Sequence, residues 1–177
     1  TKLGIDNPES VAEHSFRTAI IGFILAALEG EDPYRVAGYC LFHDMAETRT
    51  LDLDWLAQKY LEKGDYLSSE VVRDQVESLP DDISKSLENL SNRGKTEDEV
   101  EILARDADLL DLLFQAIEYA HQGNPLAFDW FDNTVSAVRT DTGVRIAEFL
   151  QEKREAGELK QLVTWWEEVD VSRDRDS

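Results

Sequence analysis

The sequence predicts an all-α fold, a single bundle of about seven to nine helices over residues 1–170, with a frayed tail over 171–177. Three observations lead there. Two-residue alternation of apolar and polar side chains, the mark of half-buried strands, is almost absent. Helix-start and helix-stop signals recur along the chain. The composition, 42% hydrophobic and 32% charged over 177 residues, is globular and long enough to bury one core.

The elements follow in order. Ser10-Val-Ala-Glu13 has the pattern of a capping box and opens an apolar helix to about Glu29. Gly30-Glu-Asp-Pro33 breaks it, and Asp32 with Pro33 forms an N-cap and first-turn pair for a helix to about Ala46. Leu53 to Leu61 is expected to be helical and to stop near Gly64. Two polar helices, Leu67–Glu77 and Asp81–Asn89, flank Leu79-Pro80. Thr96-Glu-Asp-Glu99 has the pattern of a second capping box, before a long run from Val100 to His121 that Gly123-Asn-Pro125 ends. Phe128–Val138, Asp141–Ala156 and Leu159–Val169 complete the set. Trp130, Phe131, Trp165 and Trp166 are expected as core or dimer contacts, and His121 as a cation at a helix C-terminus.

Composition narrows the function. A net charge of −20, from 38 acidic and 18 basic residues, repels nucleic-acid backbones, and no basic patch offsets it, so no long nucleic acid is expected as a partner. A small anionic substrate remains compatible, because a bound metal reverses the local sign. The longest apolar run, Ala19 to Leu28, is about half of a membrane span and is expected to be a buried core helix. No membrane partner is expected, and with no secretory pattern the expected address is cytoplasmic. A lone cysteine, Cys40, excludes an intramolecular disulfide and a cysteine-based zinc site.

The chemistry centres on His43-Asp44, an imidazole and a carboxylate at the end of an apolar stretch. His14 lies on another apolar helix, where a buried ring needs a partner. On the long helix, Ile102, Asp106, Leu109, Leu113 and Ile117 share a stripe, so periodicity points to Asp106, while Asp108 lies in Ala107-Asp108-Leu109-Leu110. Two imidazoles and two carboxylates suit one divalent ion such as Mn, Co, Fe or Zn, Mg being less suited, with positions open for water and substrate.

The order His14, His43-Asp44, Asp108 resembles the signature of the HD-domain superfamily of metal-dependent phosphohydrolases. Asn7-Pro-Glu-Ser-Val-Ala-Glu-His14, His43-Asp-Met-Ala-Glu47 and Gln115-Ala-Ile-Glu-Tyr119 are similar to its 5'-deoxynucleotidase branch. The resemblance implies an HD-type helical bundle, a homodimer, and hydrolysis of deoxynucleoside 5'-monophosphates as small-molecule substrates. It implies His14, His43, Asp44 and Asp108 as metal ligands, the family pattern Ala-Asp-x-Leu favouring Asp108 over Asp106. It also implies Glu47 as the catalytic carboxylate and Asp52 as a further acidic group near the sugar. Arg17 and Arg49 are candidate phosphate contacts. The family usually has Gly-Asp where this chain has Leu51-Asp52, and its Arg and Trp ahead of Pro-Glu-Ser have no matching positions here.

Related activities are separable. Binuclear HD phosphodiesterases carry further histidines between the His-Asp pair and the last Asp, and none lies between Asp44 and Asp108. Guanosine-alarmone hydrolases resemble His-Asp-x-x-Glu-Asp, where this chain has Glu47-Thr48. The alternatives are another small phosphoester or alarmone as substrate, or a non-catalytic nucleotide-binding protein that retains the site.

Overall fold

The structure is a computed structural model, and it describes residues 5, 8–51, 64–91 and 98–163. Among them every regular element is helical. These are α1 (Val11–Glu29), α2 (Pro33–Phe42), α3 (Glu47–Thr50), α4 (Gly64–Val76), α5 (Asp81–Ser91), α6 (Glu99–His121), a 3-10 segment (Pro125–Trp130), α7 (Phe131–Val135), α8 (Asp141–Glu155) and α9 (Leu159–Val163). The Leu53–Leu61 helix, Trp165, Trp166 and the tail lie outside the described residues.

The first two helices start where the sequence places them. The Ser10 hydroxyl accepts from the Glu13 N–H at 3.2 Å, while the Glu13 carboxylate accepts from the Ser10 N–H at 2.9 Å, which closes the capping box. Gly30 ends α1 at φ 82°, a left-handed conformation that glycine adopts without a Cβ penalty. Asp32 caps α2 by accepting from Tyr34 and Arg35 N–H, with Pro33 in the first turn.

Elsewhere the structure corrects the expected boundaries. Helix α2 ends at Phe42 rather than Ala46, and residues 43–46 form turns. The His43 ring donates from Nδ1 to the Cys40 carbonyl at 2.5 Å, taking the acceptor that one more helical turn would use. The cap of α6 is Asp98, whose carboxylate accepts from Glu101 N–H at 2.9 Å, rather than Thr96. Instead of one helix over 128–138 there is a 3-10 segment and the short α7, with the Thr134 hydroxyl bonded back to the Trp130 carbonyl. Phe131 is fully buried, whereas Trp130 is partly exposed.

The 23-residue α6 is the axis of the bundle, packed against α1, α2, α7, α8 and α9. Its Leu103, Ala107, Leu110 and Leu113 are fully buried with Leu25, Ala26, Val36 and Cys40. Small residues set the closest approach. A Cβ on Gly22 would lie 2.6 Å from Cys40 Sγ and 3.1 Å from a Val36 methyl, so α1 and α2 meet at this spacing only because Gly22 has no side chain.

Helix α1 departs from the expected buried core helix. It is long and apolar enough to cross a membrane by length and composition, with a mean hydropathy of 1.4, yet only 28% of that window is buried. One side packs against α2 and α6. The other exposes Phe16, Ile20, Phe23, Ile24 and Leu28.

Candidate metal centre

His14 projects from the first turn of α1, His43 caps the end of α2, Asp44 begins the turn after it, and Asp108 lies midway along α6. The packing of α1 and α2 on α6 brings the four together. His14 Nε2 lies 3.1 Å from Asp108 Oδ1, 3.4 Å from Asp44 Oδ2 and 3.3 Å from His43 Nε2. His43 Nε2 lies 3.0 Å from Asp44 Oδ2 and 3.6 Å from Asp108 Oδ1.

These spacings suit a shared cation. Two donors each about 2.1 Å from one ion, at angles between octahedral and tetrahedral, lie about 3.0 to 3.4 Å apart. His14, His43 and Asp108 each turn one ligand atom into a common cluster. His43 Nδ1 faces a carbonyl, which only accepts, so that nitrogen carries the proton and the neutral ring presents the Nε2 lone pair to the cluster.

Electrostatics agree with this arrangement. Burial raises the Asp44 pKa above the usual carboxylate range; His14 opposes that rise, and the neighbouring Asp108 adds to it. Burial disfavours the charged form of His14, but hydrogen bonds to Asp108, Asp111 and Asp44 outweigh it and raise the pKa to about 12. Without an ion, a proton on His14 balances the carboxylates, and a divalent cation supplies that positive charge in its place.

Asp106, favoured by periodicity, is turned elsewhere. It is fully buried, and its carboxylate accepts from Arg139 N–H, Thr140 N–H at 2.6 Å and the Thr140 hydroxyl at 2.7 Å. It ties α6 to the start of α8, where Thr140 is the N-cap. Two residues along a helix differ by about 200°, so Asp106 and Asp108 face different neighbours.

Glu47 opens α3, one turn after Asp44, with its N–H donating to the Asp44 carbonyl at 2.9 Å. Gln75 of α4 holds this turn through the Met45 carbonyl and the Thr48 hydroxyl. Arg49 is exposed on α3, and Asp52 lies outside the described residues. Leu51, between them, has φ 63° and ψ 158°, a region that suits glycine. The glycine usual in the HD family at this position therefore has a backbone reason.

Arg17, expected to meet phosphate, has its guanidinium engaged on the Nδ1 side of His14. It donates to Asp111 from Nε at 2.8 Å, to Gln115 at 2.7 Å and to Glu9 at 3.0 Å. Asp111 is 1% exposed, and its Oδ2 lies 2.7 Å from His14 Nδ1. Sequence reasoning placed Asp111 one turn beyond Asp108 and gave it no role. Its spacing of three from Asp108 and four from Gln115, on one helix face, was the available signal. Burial raises the Glu9 pKa to about 7 despite Arg17.

Such a fold and donor set define a metal-dependent helical hydrolase, and comparison with known proteins places it. The HD domain family profile matches residues 1–163, and the chain belongs to that family. It is 25% identical over 155 residues to the Bos taurus 5'-deoxynucleotidase HDDC2, covering 86% of this chain and 75% of that protein. For the Homo sapiens 5'-deoxynucleotidase HDDC2 the identity is 25% over 154 residues, covering 85% and 74%. Among solved structures, a predicted coding region from Archaeoglobus fulgidus is 34% identical with a TM-score of 0.52, covering 86% of this chain and 80% of that one. A conserved hypothetical protein from Pyrococcus furiosus is 28% identical with a TM-score of 0.64, covering 87% and 88%. The protein is thus a metal-dependent phosphohydrolase of the HD superfamily.

Proposed function

We propose that the protein hydrolyses (deoxy)nucleoside 5'-monophosphates to nucleoside and phosphate at one divalent ion held by His14, His43, Asp44 and Asp108. The observation that carries this reading is the convergence of those four side chains within 3.0–3.6 Å of one another. The nucleotide substrate is supported by the name of the mammalian relatives and by the motif that ends in His14. A single ion is supported by Arg17, whose cation already sits between Glu9 and Asp111, the other acidic group near His14.

The bound ion supplies Lewis acidity toward the phosphoryl group and lowers the pKa of a water. Glu47 takes a proton from the attacking water as its oxygen bonds to phosphorus. It returns the proton to the sugar oxygen as the phosphorus–oxygen bond breaks. Asp52 contacts the sugar. Arg49 is the exposed cation on the Glu47 turn and the better placed of the two arginines for phosphate, since Arg17 has four side chains as partners.

The test is phosphate release from a panel of deoxy- and ribonucleoside 5'-monophosphates, using metal-loaded protein with Asp44→Ala and Glu47→Ala. Release that is lost in both variants, with metal retained in Glu47→Ala, is expected. Metal loss in Glu47→Ala would make it a ligand instead. Nucleotide binding without release would favour a binding module, and release from an alarmone alone would move the substrate.

A homodimer is part of the same reading. Phe16, Ile20, Phe23, Ile24 and Leu28 expose roughly 500 Å² of side chain, most of the ~800 Å² per partner that a stable interface buries. From Phe16 to Leu28 the only charged residue is Arg17, which turns inward to Asp111. Two copies of net charge −20 meet there with little repulsion. Light scattering should give a dimer that Ile24→Glu splits; a wild-type particle of one chain would sink the proposal.

A further inference from the structure

Each histidine of the centre is held from behind by a different kind of group. The His43 ring rests on the backbone carbonyl of Cys40, which substitution cannot remove. The His14 ring rests on a carboxylate, Asp111, which is 1% exposed. We propose that Asp111 is a positioning residue for His14, and that Arg17 in turn positions Asp111. This rests on the metal-centre reading above.

The carboxylate oxygen 2.7 Å from His14 Nδ1 only accepts, so the ring offers it Nδ1–H. The neutral ring then turns its Nε2 lone pair toward Asp44, Asp108 and His43. Ring rotation is fixed at both ends of the imidazole. An anion on Nδ1–H also makes Nε2 a stronger donor, the effect that carboxylate partners have on metal-ligating histidines.

Arg17 makes the arrangement sustainable. A buried carboxylate beside two other aspartates in a chain of net charge −20 is costly unless paired. Arg17 presents Nε to Asp111 Oδ1 at 2.8 Å and Nη2 to Oδ2 at 3.1 Å, a side-on fork that fixes the plane of the carboxylate. The guanidinium is itself held by Gln115 at 2.7 Å and Glu9 at 2.9 Å. The Glu9 backbone N–H donates to the Tyr119 hydroxyl at 2.9 Å. Asp108, Asp111, Gln115 and Tyr119 rise three or four residues apart along α6. One helix face thus carries a ligand, the brace behind another ligand, and the supports of that brace.

The experiment is zinc affinity of the full chain, read by competition with a chromophoric chelator, for wild type, Asp111→Asn and Arg17→Lys. Melting temperature is followed in parallel. Asp111→Asn should weaken zinc about 10- to 100-fold, the usual effect of losing such a partner. Arg17→Lys keeps the charge but loses the fork, and should weaken zinc by a smaller factor in the same direction. It carries the test if Asp111→Asn does not fold. Variants that melt lower yet bind zinc with wild-type affinity would leave Asp111 a structural ion pair and overturn the proposal. Wild-type protein that binds no zinc, manganese or cobalt would overturn the metal centre itself, a distinguishable failure.

Discussion

Replacing Asp106 by alanine removes a carboxylate that is fully buried and accepts from Arg139 N–H, Thr140 N–H and the Thr140 hydroxyl. Hydrogen bonds to charged groups contribute about 1.5–3 kcal/mol each, and donors left buried without a partner add their desolvation cost. These bonds share one acceptor and do not add, so about 4 kcal/mol is expected. At about 2–4 °C per kcal/mol for a chain of this size, the melting temperature should fall by roughly 8–16 °C. Asp108→Ala should behave in the opposite sense. Its melting temperature without metal should change much less, and the rise on adding manganese or zinc should vanish. Ligand at about 100 times Kd contributes about 2.7 kcal/mol of stability, a shift thermal unfolding resolves. Asp106→Ala should keep that rise. Scans of both variants with and without metal decide the matter. Metal response lost in Asp106→Ala and kept in Asp108→Ala would exchange their roles and refute the assignment made from Asp106's contacts.

Three further outcomes are expected. Gly22→Ala gains about 1 kcal/mol of helix propensity but places a methyl 2.6 Å from Cys40 Sγ in a close-packed crossing, so a net loss of about 1–2 kcal/mol should appear as a lower denaturation midpoint. Leu51→Gly relieves a positive-φ backbone of about 1–3 kcal/mol at a small entropic cost; the side chain is exposed, so stability should rise by about 1 kcal/mol. Glu9 has a folded pKa of about 7 against an ordinary 4.5, so the native state holds a proton that the unfolded chain releases. Its contribution to stability is present below about pH 4.5 and is lost as pH rises through 7. A series of melts from pH 5 to 8 should therefore fall less steeply in Glu9→Gln than in wild type, and parallel curves would refute the burial of that carboxyl.

Much of the bundle was legible because its signals are local. Ser10 with Glu13, Asp32 with Pro33 and Gly30 act on neighbours within one turn, so residue types suffice to place both ends of α1 and the start of α2. Boundaries failed where distant or side-chain contacts compete. The early stop of α2 depends on a ring-to-carbonyl bond from His43, and the 3-10 segment with α7 replaced one regular helix. The apolar stretch in α1 identified the element but not which side would be covered, because hydropathy does not name a partner.

By itself the sequence determined the helical class, the first caps, the family signature and the identity of the candidate ligands, all of which depend on residue type and short spacing. Only the tertiary structure decided which aspartate faces His14 and His43, because Asp106 and Asp108 differ by a helical rotation whose meaning depends on what packs there. It also decided that Arg17 braces Asp111. That contact joins residues 94 positions apart, and no local pattern encodes the meeting of two side chains brought together by the crossing of α1 and α6.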